Sequence, residues 1–345
     1  MRSPLVFVTG SSGFVGTNFV QYLLEHGCTV ISLDLCPPRW TGKGYRCTTS
    51  LAAKEMDYDW LDVRGDVRDG ELLTPIFRHP VEYVIHLAAR STIQLGAEDC
   101  AQTMSVNAEG TETLLRAAAD CATLKGFLYA STDKVYGLLR EQAYTETDAL
   151  SPLDSPYDRS KAVAEQFVRA WSQKGKIPGI IFRFCNLYGP YDLQTTRIVP
   201  RNIRAVLENR PCTLRMYQDS DNIVRDFRRE FLYIGDLCET VWKIIETLEN
   251  QETRFSAWGE AFNLGSQNCY PVSEVIQTIQ SLLGVSGSPE IEKLDGLVEI
   301  PEQRMNSSKA AEIFGFSPKT SLEDGLTATI RWWQQYLDAR KPQNV

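Results

Sequence analysis

The sequence predicts an α/β protein, a doubly wound parallel sheet followed by a smaller C-terminal α/β lobe. Three observations predict it. Apolar runs of strand length alternate with helix-periodic stretches over residues 4–184. A glycine-rich turn joins the first strand to the first helix. Hydroxyl and charged residues collect where strands end, and open α/β sheets place their ligands at those carboxyl ends. The chain has 345 residues, 43% hydrophobic and 23% charged, enough for one large domain or two lobes. We divide it at 1–186 and 187–345, with some later segments returning to the first part.

Residues 4–9 read as a buried parallel strand. Thr9-Gly-Ser-Ser-Gly-Phe-Val-Gly16 follows, then a helix carrying Val20, Leu23 and Leu24, stopped by Gly27. Thr29 to Leu33 is the second strand and runs into Asp34. Glycines 10, 13 and 16 allow backbone N–H groups at a helix N-terminus to approach a pyrophosphate. Asp34 stands ~20 residues beyond the turn, where a carboxylate meets ribose hydroxyls and repels a 2′-phosphate. This strand–turn–helix–strand unit is a Rossmann signature and favours NAD over NADP. Residues 36–58 are irregular, either an adenosine-contacting loop or an insertion. Trp60 to Val67 reads as a third strand ending near Asp66. Val81 to Ala89 is a fourth, closing on small residues that suit either a cofactor or helix–sheet packing.

Residues 98–122 read as a long helix. Asn107 in its middle is a poor helix former, either bonded to a strand end or exposed. The fifth strand, 126–131, closes on Ser131-Thr132-Asp133-Lys134-Val135-Tyr136-Gly137. A polar, proline-containing tract covers 138–156. Helix 157–173 then opens with Tyr157 and Lys161 on one face, at i and i+4. A lysine one turn from a tyrosine favours phenolate and suits acid/base work, though an ordinary surface pair has the same spacing. Lys176 to Phe184 is the sixth strand. Further helices are read at 198–209, 236–248, 273–283 and 321–337. Arg197, Arg201, Arg204, Arg215, Arg225, Arg228 and Arg229 concentrate in the second half, suiting a phosphate site or a solvated basic loop.

A formal charge of −8 argues against a nucleic-acid footprint. No run of ~18 apolar residues is present, so no membrane span is expected. The N-terminus has no signal-peptide pattern, and the nine cysteines lack a Cys-x-x-Cys pair. The expectation is a cytoplasmic protein with reduced thiols and no metal site.

Taken together, the motifs at 9–16, Gly65-Asp-Val67, His86-Leu-Ala-Ala89, Asn107, Ser131-Thr-Asp133, Tyr157-x-x-x-Lys161 and Asn186-Leu-Tyr-Gly-Pro190 resemble the extended short-chain dehydrogenase/reductase family. The resemblance covers nearly the whole chain and lies in the nucleotide-sugar epimerase/dehydratase branch. It implies NAD bound by Gly10, Gly13, Phe14, Val15, Asp34, Asp66, Val67, Leu87, Ala88, Ala89, Tyr157 and Lys161. It implies a nucleotide-sugar substrate contacted by Ser91, Thr92, Asn186, Arg197, Arg229 and Arg304. It also implies a homodimer through helices 98–122 and 157–173.

Ser-Thr-Asp-x-Val-Tyr-Gly resembles the 4,6-dehydratases within that branch. By position, Tyr157 deprotonates the sugar 4-hydroxyl with help from Thr132. Lys161 holds the nicotinamide ribose and lowers the tyrosine pKa. Hydride passes from C4 to NAD, a base takes the C5 proton, Asp133 protonates the departing 6-hydroxyl, and the hydride returns to C6. Lys134 departs from the glutamate of dTDP-type enzymes and resembles the Asp-Lys pair of CDP-glucose 4,6-dehydratases. It serves either as a neutral C5 base or as a charged stabiliser of an enolate. Val224 to Tyr233 departs again, as if an Arg-Asp-Phe-Leu-Tyr segment were partly duplicated. Arg229 is the preferred diphosphate ligand, with Arg225 the alternative. Rival readings are a 4-epimerase, which needs no acid at 133, a 5,6-dehydratase, a nucleotide-uronate decarboxylase, and a non-catalytic NAD-binding scaffold.

Overall fold

The architecture comes from a computed structural model that describes residues 4–54, 57–91, 99–294 and 299–340. Its centre is an eight-stranded sheet in which every neighbouring pair is parallel. In spatial order the strands are Ala261–Leu264, Gly179–Phe184, Gly126–Thr132, Tyr83–His86, Leu5–Thr9, Thr29–Asp34, Trp60–Arg64 and Cys47–Thr48. The first strand is buried throughout, as an apolar run must be when helices cover both faces of its sheet. Strand order reverses beside Leu5–Thr9, making a crevice at the carboxyl edge.

The helices form where the spacing places them: Phe14–Glu25, Pro156–Gln173, Ile198–Leu207, Ile234–Leu248, Val272–Leu282 and Leu322–Asp338. Ser155 caps the second of these by accepting from the Asp158 N–H, and a proline occupies its first turn. The expected helix over 98–122 is interrupted. Cys100–Met104 is α-helical, Ser105–Glu109 forms a π-turn, and Gly110–Ala118 resumes the α-helix. Asn107 lies in the π-turn, and such turns often mark functional sites.

Strand Ala261–Leu264 returns to the large sheet by pairing with Gly179–Phe184. Two three-stranded sheets complete the second half. One holds Val224–Asp226, Thr213–Gln218 and Glu290–Leu294, the other Cys269–Pro271, Arg228–Tyr233 and Asn186–Tyr188. No helix among the described residues is long and apolar enough to cross a membrane.

Candidate active site

A cleft of about 850 Å³ runs along the carboxyl edge of the large sheet and continues beneath the second half of the chain. At one end lies the glycine turn. Gly10 has φ +70°, and a Cβ there would stand 2.7 Å from the Ala88 backbone nitrogen. A Cβ on Gly16 would stand 2.2 Å from the Gly10 carbonyl oxygen, so only glycine lets helix and turn close up. Gly13 caps helix Phe14–Glu25 with no side chain, leaving its first N–H groups open to the cleft. Asp34 ties the second strand to this turn, accepting from the Ser12 N–H at 2.9 Å and the Cys36 N–H at 2.8 Å. Each carboxylate oxygen keeps acceptor capacity for a ribose. Phe14, Val15, Asp66, Val67, Leu87, Ala88 and Ala89 line the same end. Arg68 hydrogen-bonds Asp66 and holds its carboxyl below the usual range. This cradle, helix N-terminus and acidic edge fit NAD.

Asn107 is buried and bonded, not exposed. Its side chain accepts from the Arg90 N–H at 2.8 Å, and donates to the Arg90 carbonyl at 3.2 Å and the Ser160 hydroxyl at 2.8 Å. It therefore pins the turn after strand Tyr83–His86 to the helix that carries Tyr157. His86 sits between the hydroxyls of Thr9 and Thr111, and burial pushes it down to about 3. It is a neutral structural group.

Thr132, Asp133, Lys134, Tyr157 and Lys161 converge in the middle of the cleft. The Thr132 hydroxyl donates to Asp133 Oδ1 at 3.2 Å and accepts from the Lys134 N–H at 3.3 Å. Asp133 is 4% exposed. Burial raises its carboxyl to about 6 despite the opposing charges of Lys134 and Arg229. Lys134 Nζ lies 3.8 Å from Glu299 Oε1. Asp158, also raised to about 6 by burial, faces the same lysine.

The Tyr157–Lys161 pair shares a helix face, but its electrostatics differ from expectation. Burial, then Asp158 and Asp133, hold the Tyr157 phenol above its ordinary range, with Arg197 opposing. Lys161 donates to the Ala130 carbonyl and lies 4.5 Å from the centre of the Tyr129 ring. Burial pulls its ammonium down to about 7. The expected lowering of Tyr157 by Lys161 is therefore not seen, because burial dominates both groups.

Beyond the sheet edge, Ser91, Asn186, Arg197 and Arg229 line the cleft. Thr92 lies outside the described residues. Arg229 is buried, donates to the carbonyls of Arg228 and Pro301, and pairs with Glu299 at 3.1 Å. Of the two arginines left open, Arg225 points elsewhere, paired with Asp219 on an exposed strand. Arg304 is not among the lining residues; its guanidinium pairs with Glu302 at 2.9 Å. The arginine excess is nonetheless partly focused here. Arg201 and Arg215 line the far end and share the Glu292 carboxylate at 3.5 and 3.0 Å.

Sequence reasoning passed over one buried network. Glu165, a turn beyond Lys161, accepts from Arg183 at 3.0 and 2.7 Å and from the Ser131 hydroxyl. Arg183 also donates to the Tyr136 hydroxyl at 2.6 Å, which donates to Asn263 at 2.7 Å. The network braces both ends of the Ser131–Tyr136 segment. The signal was an arginine inside the apolar run Ile180–Phe184, which required a buried partner.

Comparison with known proteins defines the class. Residues 6–265 match the NAD dependent epimerase/dehydratase family. The chain belongs to that family, is an enzyme of it, and uses NAD. It is 30% identical over 331 residues to the low-salt glycan biosynthesis protein Agl12 of Haloferax volcanii, covering 95% of this chain and 98% of that one. It is 26% identical over 337 residues to UDP-glucuronate 4-epimerase 2 of Arabidopsis thaliana, covering 96% and 76% respectively. Among solved structures it resembles the dTDP-glucose 4,6-dehydratase of Bacillus anthracis in complex with NAD. That likeness has a TM-score of 0.78 at 27% identity and covers 99% of both chains.

Proposed function

We propose that this protein is a nucleotide-hexose 4,6-dehydratase that makes a 4-keto-6-deoxy sugar. One observation carries the reading. Asp133, buried beside Thr132 and Tyr157, is a carboxyl group raised to about 6 in the middle of the cofactor cleft. A group that can hold a proton near neutral pH suits the departure of a hydroxyl, whereas epimerisation at C4 has no leaving group to protonate.

When bound, NAD takes up hydride from C4 and returns it at C6. The chain's residues do the rest. Tyr157 and Thr132 handle the 4-hydroxyl proton, and Asp133 gives a proton to the departing 6-hydroxyl. Lys134, held opposite Glu299, stands on the C5 side as base or as enolate stabiliser. Asn186, Arg197 and Arg229 bind the nucleotide diphosphate, and Ser91 the hexose. The reading further includes a cytoplasmic homodimer through the helices around Asn107 and Tyr157, and lobes at 1–186 and 187–345.

The likeness to 4-epimerases favours one second reading, a nucleotide-sugar 4-epimerase in which Asp133 has no chemical role. The test is a product assay by mass and proton NMR. The protein is incubated with CDP-, UDP-, dTDP- and GDP-glucose and UDP-N-acetylglucosamine without added NADH. Loss of one water with a new C6 methyl signal supports the dehydratase and identifies the nucleotide. Vinyl protons mean a 5,6-alkene product. Unchanged mass with an altered C4 coupling means the epimerase. Sedimentation showing only monomer at micromolar concentration removes the dimer.

A further inference from the structure

The charges around Lys134 decide which hexoses the cleft can take. On the dehydratase reading, on which this inference rests, C6 of the sugar lies beside Asp133 and C5 beside Lys134. A nucleotide hexose presents an uncharged hydroxymethyl group at C6, whereas a nucleotide uronate presents a carboxylate. Both kinds are named among this chain's relatives, in a dTDP-glucose 4,6-dehydratase and a UDP-glucuronate 4-epimerase. The two substrates differ by one negative charge at one position, so the local field discriminates between them.

Lys134, Arg229 and Glu299 all line the cleft, and one carboxylate oxygen engages both cations. Glu299 Oε1 lies 3.8 Å from Lys134 Nζ and 3.1 Å from Arg229 Nη2. Arg229 is further committed. Its Nη1 donates to the carbonyls of Arg228 and Pro301 at 2.9 and 3.0 Å, and its guanidinium lies over the Phe227 ring. Arg197, also lining the cleft, is paired with Asp192 at 3.5 Å. Around Lys134 stand three carboxyl groups, Glu299, Asp133 and Asp158. Burial raises Asp133 and Asp158 only to about 6, so both are mostly carboxylates at neutral pH. Against the effect of burial, the charges of Lys134 and Arg229 hold Glu299 below its usual range. Three carboxylates against these two cations leave the surroundings of Lys134 negative before any sugar enters.

We propose that Glu299 restricts the cleft to uncharged hexoses and excludes nucleotide uronates. Its carboxylate already holds the position between Lys134 and Arg229 that a sugar carboxylate would need. A uronate entering there meets Glu299 and Asp133 with both cations engaged. Like charges brought together at a binding site lower affinity by about 100-fold or more. An uncharged hexose meets no such repulsion. Its hydroxyls are donors, and a carboxylate has about four acceptor positions, of which the two cations use part. Glu299 thus accepts hydroxyl groups and turns away a carboxylate with the same oxygen atoms. It sets specificity, and no bond is made or broken through it. Without its charge, Lys134 and Arg229 become a site for the uronate.

The test compares affinities by calorimetric titration of NAD-loaded protein carrying Tyr157→Phe, so that no ligand turns over during the measurement. The ligands are the nucleotide-glucose that the wild type turns over, the uronate made from it by oxidising C6, and the bare nucleoside diphosphate. If none of the five sugars above is turned over, UDP-glucose, UDP-glucuronate and UDP take their places. With Glu299 present, the glucose form should bind about 100-fold or more tightly than the uronate. Glu299→Gln should narrow that ratio by about tenfold or more, while Glu299→Asp, which keeps the charge, should hold it within about threefold. Because Glu299 also pairs with Arg229, a merely structural effect shifts all three ligands together and leaves the ratio unchanged. NAD retention shows which variants are folded. A uronate bound within about tenfold of the glucose form when Glu299 is present overturns the proposal, whether or not any variant folds. So does an unchanged ratio in folded Glu299→Gln, or narrowing in Asp133→Asn alone, which moves the exclusion to Asp133. Absence of water loss in the product assay instead overturns the dehydratase reading, and the two failures are read from different measurements.

Discussion

Asp133→Asn should make the protein more stable while disabling it. The carboxyl is 4% exposed and is raised by burial from 3.8 to about 6. Below pH 4 the group is protonated both folded and unfolded, so burial then carries no charge penalty. Between about pH 4 and pH 6 the folded protein holds this proton and the unfolded chain releases it. The folded state binds more protons there, so this group's contribution to stability falls as pH rises and stays low above 6. Two pH units correspond to about 3 kcal/mol, an upper figure for what an uncharged isostere recovers. Asparagine keeps an oxygen to accept from Thr132 and cannot ionise. Urea unfolding of NAD-free protein at pH 8 should therefore show the variant more stable by roughly 1–3 kcal/mol, with the difference shrinking towards zero near pH 4. A variant that is equally or less stable at pH 8 refutes the reasoning, as does a gain that is the same at both pH values. Either result means that Lys134 and Arg229 compensate the buried charge fully.

Three further changes probe separate parts of the cleft. Glu165→Gln leaves Arg183 charged and 1% exposed without its carboxylate, so it should cost about 3–5 kcal/mol in urea unfolding, and adding Arg183→Leu should recover most of that loss. Gly10→Ala places a Cβ against the Ala88 backbone at a positive φ, so NAD affinity, read by fluorescence titration, should fall by about tenfold or more with secondary structure retained. Arg215→Ala removes a cation from the far end of the cleft, so the KM for the nucleotide sugar should rise by about tenfold while NAD affinity stays unchanged.

The large sheet was legible because each of its main strands is a continuous apolar run, which a parallel strand buried on both faces requires. The second half was less so. Asn186–Tyr188, Cys269–Pro271 and Val224–Asp226 are three residues long. They exist because partners pair with them, Asn186 with Phe231 and Arg229 with Tyr270. No local periodicity marks such strands. The site divides in the same way. Tyr157 and Lys161 could be placed on one helix face from spacing alone. Where the ammonium goes depends on Ala130 and Tyr129, about 30 residues earlier on another element. Arg304 was assigned by position, but Glu302, two residues away, takes its guanidinium.

Lys134 shows how the remaining question about the reaction can be narrowed. It faces Glu299 from the segment after the second small sheet, and Asp158 from the helix that carries Tyr157. Glu299 also pairs with Arg229 and is held below its usual range chiefly by the charges of Lys134 and Arg229, against the effect of burial. A carboxylate engaged by two cations is a poor proton acceptor, so Glu299 suits positioning more than C5 deprotonation. Asp158 is 3% exposed, and its Oδ1 has no hydrogen-bond partner. A buried carboxyl with an unsatisfied oxygen is costly, and the charge of Lys134 is the largest influence that opposes the effect of its burial. Lys134 is thus paired with Glu299 and within electrostatic reach of Asp158, and substitution by methionine tests two roles at once. Loss of C5 proton exchange with deuterated solvent, with C4 oxidation intact, assigns the base to Lys134. Slowed elimination with exchange retained assigns it the electrostatic role.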